Sequence, residues 1–197
     1  MEIIMKICVF GAASNEIARA YIDEVENFGE MLASRGHDLV FGAGQHGLMG
    51  AVARGVKSKN GHIHGVIPTF FKEDTIEHIF EECNEITYTE TMAQRKSKME
   101  DLADAFVIVP GGIGTFEEFF EVLTLKQLAR HTKPIAIYNI NNYYDNLEAF
   151  LTTSYEQGFI RENCKTLYFS SDNPERILDY IEQDKRVKLD VHSLKNG

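Results

Sequence analysis

Tryptophan is absent from this chain of 197 residues, proline occurs four times and cysteine three. The three thiols (Cys8, Cys83, Cys164) are odd in number and far apart. That pattern fits reduced thiols better than a disulfide framework, so a cytoplasmic location is expected. Positive charge is also scarce: 20 Lys and Arg stand against 30 Asp and Glu, for a formal net charge of −10. A chain so acidic lacks the basic face that a nucleic-acid polymer or an anionic membrane requires. A small anionic ligand is still admitted where positive groups are focused locally. No run approaches the roughly 18 apolar residues that cross a bilayer. The apolar start, Met1 to Ala13, has Glu2 where a signal peptide needs a basic residue, and Lys6 interrupts it, so a buried first strand is expected.

Several catalytic signatures are missing as well. There is no Gly-Lys-Ser or Gly-Lys-Thr, which excludes a P-loop, and no Ser-His-Asp or Cys-His arrangement. Nothing marks a lysine as a pyridoxal-phosphate anchor. His62 and His64 lie two apart and share a strand face, but without a third ligand at recognised spacing they read as surface histidines. Neither a metal nor an organic cofactor is expected. Cys8 lies in an apolar run and reads as core.

The composition that remains is that of a globular protein, with 44% hydrophobic and 25% charged residues. Its length suits a single domain, expected over residues 1–186 with a C-terminal tail over 187–197 that frays or packs on a partner. Short β-branched or aromatic runs predict strands at Lys6–Gly11, Asp38–Gly42, Ile63–Ile67, Glu85–Tyr88, Ala105–Val109, Pro134–Tyr138 and Thr166–Phe169. Amphipathic stretches between them predict helices at Ile17–Ser34, Leu48–Lys59, Thr91–Ala103, Thr115–Arg130, Tyr143–Gln157 and Pro174–Lys185. Strands alternating with helices imply an α/β fold: a doubly wound, Rossmann-like parallel sheet flanked by helices on both faces. Ligands of such sheets bind beyond the carboxyl ends of the strands.

Three strand-to-helix loops therefore matter. The first is Gly11-Ala12-Ala13-Ser14. The second, Gly42 to Gly47, matches G-x-G-x-x-G, but it follows the second strand and the third strand ends without an acidic residue to hold a ribose. A dinucleotide is accordingly a weak reading. The third, Pro110-Gly111-Gly112-Ile113-Gly114-Thr115, empties a strand into a helix start whose free amides suit a phosphate. Two readings of its acidic residues stay open. Thr115 and Glu118 fit a capping box; alternatively Glu117, Glu118 and Glu121 crowd together and raise a carboxylate pKa, which suits acid–base work. Arg95 and Lys96 flank an apolar stripe of Met92, Met99 and Ala103, either reaching out to water or lining the ligand cleft. Their helix starts at the same sheet edge as the glycine loops, which favours the cleft.

In combination, Gly42-Ala43-Gly44-Gln45-His46-Gly47-Leu48-Met49-Gly50, Met92-Ala93-Gln94-Arg95-Lys96 with Met99, and Pro110-Gly111-Gly112-Ile113-Gly114-Thr115-Phe116-Glu117-Glu118 resemble the "Lonely guy" family. These are cytokinin riboside 5′-monophosphate phosphoribohydrolases, often mislabelled as lysine decarboxylases. The resemblance implies a Rossmann-like homodimer or larger homo-oligomer. The implied activity is hydrolysis of the N-glycosidic bond of an adenine-type nucleoside 5′-monophosphate to free base and ribose 5-phosphate. It further implies catalytic roles for Arg95 and Glu118, and substrate contacts from Gly112, Ile113, Gly114, Thr115, Lys96, Thr124 and Glu117. Glu73 is a looser match to another substrate contact. Ala43 stands where the family has a glycine, Ala93 where it often has histidine, and Gly11-Ala12-Ala13-Ser14 where plant members typically have Cys-Gly-Ser-Ser. None of these departures removes a catalytic group, and AMP and isopentenylated nucleotides are both admitted as substrates. The rival expectation is a non-catalytic Rossmann protein that holds a nucleotide or a nucleotide-bearing cofactor.

Overall fold

The computed structural model describes residues 4–73, 78–187 and 190–195, with the backbone alone for residues 72 and 73. Its strands are β1 (Lys6–Phe10), β2 (Asp38–Phe41), β3 (Ile63–Pro68), β4 (Glu85–Thr89), β5 (Ala105–Ile108), β6 (Ile135–Tyr138) and β7 (Phe169–Ser171). The helices are α1 (Arg19–Ser34), α2 (Gly47–Ser58), α3 (Thr69–Glu73), α4 (Met92–Leu102), α5 (Ile113–Gln127), α6 (Asp145–Glu156), α7 (Pro174–Gln183) and α8 (Val191–Leu194). All strands pair in parallel, in the order β4-β3-β2-β1-β5-β6-β7.

Side-chain alternation along the strands builds two cores. Ile7 and Val9 of β1, Leu39 and Phe41 of β2 and Val107 of β5 face one side, under Val25, Phe28 and Leu32 of α1, Val52 and Val56 of α2, and Ile177 and Ile181 of α7. Cys8, Phe10, Val40, Phe106 and Ile108 face the other, under Met99 of α4 and Phe119 and Val122 of α5. Cys8 is fully buried, as its apolar run implies. Strands covered on both faces need continuous apolar runs, which is why β1, β5 and β6 stand out in the sequence. α1 and α2 meet backbone to backbone: a Cβ on Gly29 would overlap the Val52 carbonyl, and one on Gly55 the Glu26 carbonyl.

Three expectations are corrected. The last strand starts at Phe169, because Glu162–Leu167 winds into a 3-10 helix that buries Cys164 and Leu167. His64 is buried, 5% exposed, with Nε2 2.8 Å from the Thr87 hydroxyl, because β4 covers the edge of its strand; His62 is half-buried. In the tail, Asp190 caps a helical turn, α8, and Leu194 packs on Cys164 and Leu167. Residues 188, 189, 196 and 197 of that tail lie outside the described residues. Of the two readings left open for Thr115 and Glu118, the capping box does not form, for a reason that lies in the site itself.

The chain leaves β1 for β2 on one side and reaches β5 on the other only after β4. β1 and β5 are therefore neighbours whose following loops diverge, which is the crevice geometry that places a ligand.

Candidate active site

The loops after β1, β2 and β5 are tied to one another before any side chain is considered. Ala12 N–H donates to Pro110 O (3.1 Å) and Leu48 N–H to Ala12 O (2.8 Å). The turn after β2 is held from outside by Gln45 N–H to His78 O and Phe80 N–H to Ala43 O, both 2.8 Å. Ala43 has φ 60°, in the left-handed region, so the position where the family carries glycine does require that conformation here.

These loops enclose a cleft of about 420 Å³. Arg95, Gly112, Gly114, Thr115, Glu117 and Glu118 line it together, with Ser14, Phe71 and Met92 completing the wall. α5 begins at Ile113 with Gly112 as its N-cap residue and no side-chain cap. Thr115 is thus inside the helix, 4% exposed, with its hydroxyl packed where a Cβ on Gly111 would sit. The first amide of α5 with a carbonyl one turn back is that of Phe116, bonded to Gly112 O at 3.0 Å. The amides before it have no intrahelical acceptor, and the positive end of the helix dipole is there. A reciprocal cap forms on α4 instead: the Thr91 hydroxyl accepts from Gln94 N–H (3.1 Å) and the Gln94 side chain accepts from Glu90 N–H (2.8 Å).

That cap fixes the start of α4 and so the height of Arg95. Its Nε donates to Val66 O within β3 and its Nη2 to Gly42 O just past β2, each at 3.1 Å. The guanidinium carbon lies 5.7 Å from the Phe71 ring centre. A Cβ on Gly42 would overlap the guanidinium, so glycine there is a condition of this seat. Arginine has five N–H donors, so the two carbonyls leave others for a ligand.

Glu118, in the second turn of α5, has its pKa pushed up to about 7 by burial, against the pull of Arg95. The carboxylates of Glu117 and Glu121 add to the rise and Lys96 opposes it. Burial would lower the pKa of Lys96, but its hydrogen bonds to Glu117 and Glu121 outweigh this and hold it above its ordinary value. Lys96 Nζ pairs with Glu117 and lies 2.7 Å from Glu121 Oε2, bracing α4 against α5.

The remaining residues singled out by the sequence fall elsewhere, or outside the described residues. Ile113 is 87% exposed and does not line the cleft. Thr124 lines a separate groove of about 340 Å³ between α5, α6 and the 3-10 segment. Glu73 ends α3, and its side chain lies outside the described residues. Among the described residues no cluster of three His, Cys, Asp or Glu is placed to hold a metal. Sequence reasoning missed Phe71, and it missed the Val66 and Gly42 carbonyls that seat Arg95, which no side-chain pattern reveals.

Comparison with known proteins decides the kinship. The family described as possible lysine decarboxylase matches residues 49–181. Cytokinin riboside 5′-monophosphate phosphoribohydrolase LOG2 of Arabidopsis thaliana is 37% identical over 180 residues, covering 90% of this chain and 83% of its own. The probable enzyme of the same name, LOGL9, from Oryza sativa subsp. japonica is 38% identical, covering 90% and 78%. The chain belongs to the Lonely guy family. Among solved structures, the molybdenum cofactor carrier protein of Chlamydomonas reinhardtii shares the fold, with a TM-score of 0.69 at 20% identity over 91% of this chain and 97% of that one. The molybdenum cofactor binding protein of Rippkaea orientalis does likewise, with a TM-score of 0.66 at 17% identity over 92% and 96%. The Lonely guy motifs thus coincide with the cleft: its Arg-Lys pair opens α4, and its Gly-Gly-x-Gly-Thr run starts α5.

Proposed function

We propose that this protein hydrolyses the N-glycosidic bond of adenine-type nucleoside 5′-monophosphates, AMP or its isopentenylated form, to free base and ribose 5-phosphate. One observation carries the reading: a half-buried carboxyl, Glu118, shares a cleft with Arg95 and with the uncapped amides of a helix start. A protein that only holds a nucleotide gains nothing from a carboxylate beside its anion site.

In the reaction the 5′-phosphate sits at the Gly112–Thr115 amides, where the helix dipole favours an anion. That remote anchor places C1′ of the ribose between Glu118 and Arg95. As the bond from C1′ to the base nitrogen breaks, positive charge grows on the ribose, and the Glu118 carboxylate stabilises it. The same carboxylate draws a proton from the attacking water, whose oxygen bonds to C1′. In the net reaction water gives its hydroxyl to ribose and its proton to the base. Arg95, fixed by two backbone carbonyls, turns its free donors to ribose or phosphate oxygens. Glu117 and Lys96 hold the helix pair around the substrate, and Gly114 lines the cleft.

A homo-oligomer accompanies this reading. Thr124, matched to a substrate contact of the family, is in a groove apart from Arg95, so it serves the cleft of a second copy. Exposed Phe120 and Phe159 supply apolar surface in that groove. The unpaired thiols Cys8, Cys83 and Cys164 fit a cytoplasmic setting; among the described residues no helix is long and apolar enough to cross a membrane. Release of ribose 5-phosphate from AMP tests the activity directly. It should be lost in Glu118→Gln and Arg95→Ala, and wild-type protein that binds AMP without turnover would favour the binding-protein alternative.

A further inference from the structure

The turn from β5 into α5 must point amides, and not carbonyls, at an anion. It passes through two consecutive glycines, Gly111 and Gly112, with no obstacle within 4 Å of a Cβ on Gly112. A peptide plane flanked by glycines rotates at little steric cost. Left alone, the Gly111–Gly112 peptide could present either its N–H or its carbonyl to the cleft.

Three successive carbonyls of this turn are nevertheless engaged. Val109 O accepts the Tyr144 hydroxyl at 2.8 Å, Pro110 O accepts Ala12 N–H at 3.1 Å, and Gly111 O accepts the Tyr143 hydroxyl at 2.6 Å. In a planar trans peptide the carbonyl and the N–H point in opposite directions. Holding the Gly111 carbonyl with Tyr143 therefore aims the Gly112 N–H the other way.

The segment after β6 is shaped to deliver these two hydroxyls. Asn141 and Asn142 both adopt positive φ, 52° and 60°, a conformation asparagine tolerates better than most residues. Asn139 closes the turn, with Oδ1 accepting Tyr144 N–H at 2.7 Å and Nδ2 donating to Asp145 at 2.8 Å. Tyr144 is buried, 1% exposed, whereas Tyr143 is 42% exposed and stands edge-on to Tyr144 and Tyr21. Burying Tyr144 suits a structural pin. A half-open tyrosine that spends its hydroxyl on a loop carbonyl points to a local task.

We propose that Tyr143 is a positioning residue for the phosphate site, locking the Gly111–Gly112 peptide so that Gly112 N–H faces the cleft. It touches no reacting atom and acts through the loop. The inference rests on the phosphate placement given above.

Tyr143→Phe tests it, since the ring stays and only the hydroxyl is lost. Binding of ribose 5-phosphate, AMP and adenosine would be measured by calorimetry, with KM and kcat for AMP and the melting temperature alongside. The expected result is about two- to twelvefold weaker binding of the two phosphorylated ligands, the effect of losing one well-placed hydrogen bond. Adenosine binding, kcat and the melting temperature should stay close to wild type. Unchanged binding of ribose 5-phosphate by the variant would overturn the inference alone. Equal weakening of adenosine would also overturn it, because the hydroxyl would then support the fold at large. Wild-type protein that binds neither ribose 5-phosphate nor AMP would overturn the functional reading and this inference with it.

Discussion

Burial drives Glu118 toward its neutral form, and Arg95 is the main influence holding it ionised; the balance leaves its pKa at about 7. A carboxyl poised there takes up and gives back a proton near neutral pH with little driving force wasted in either direction. If the ionised form does the work, kcat/KM climbs as pH rises through about 7 and levels above it. The sign of the Arg95 effect makes a second check possible without turnover. Arg95 lowers the pKa of Glu118, so Arg95→Ala should raise it, and a carbon NMR titration of the glutamate carboxyls would follow the change. A Glu118 midpoint near the ordinary value of about 4.3, or one indifferent to Arg95, would contradict this. The stability linkage runs the same way. A carboxyl whose pKa is raised on folding costs no stability below its unfolded pKa and an increasing amount as pH rises to the folded value.

The pairing of backbone carbonyls with a helix start gives the site its rigidity. Gly42 O lies just past β2 and Val66 O within β3, and α4 brings Arg95 to both. Gly42→Ala places a methyl group where the guanidinium lies. The arginine must leave its seat, and kcat/KM should fall about a hundredfold, as for other small displacements of a catalytic group. The melting temperature should change little, since a single half-buried side chain moves toward the open cleft; a variant with wild-type kcat/KM would show that the seat is not needed. This pairing also marks the limit of what the sequence discloses at helix starts. Thr91-Met-Ala-Gln94 and Thr115-Phe-Glu-Glu118 carry the same capping pattern, yet only the first caps. Two glycines before α5 let the chain enter the helix at Ile113, so Thr115 is swept inside and the amides stay uncapped. A pattern of side chains cannot register where the backbone bends.

Across the whole molecule, the alternation of apolar runs with amphipathic stretches was enough to read the doubly wound sheet, because strands buried on both faces have no choice of residue. The edge was harder: β7 is three residues long, and the Glu162–Leu167 turn before it buries apolar side chains without being a strand. Arg95, Glu118, Glu117, Gly112, Gly114 and Thr115 were legible and converge in one cleft, since each sits in a motif at a strand end or helix start. Tyr143 was not, because it acts from the loop after β6 on a backbone carbonyl. Thr124 lines a groove apart from the cleft, and on the proposed reading it serves the cleft of a second copy. Light scattering should therefore give at least twice the 22.4 kDa chain mass, and Phe120→Asp with Phe159→Asp should reduce both mass and activity; a fully active monomer would remove the assembly from the account. The most direct test of the central claim is ribose 5-phosphate release from AMP and from isopentenyladenosine 5′-monophosphate, by wild type and Glu118→Gln in parallel. The account predicts turnover of at least one nucleotide by wild type and its loss, with nucleotide binding retained, in the variant. Equal release by both proteins, or none by wild type on either nucleotide, would contradict it.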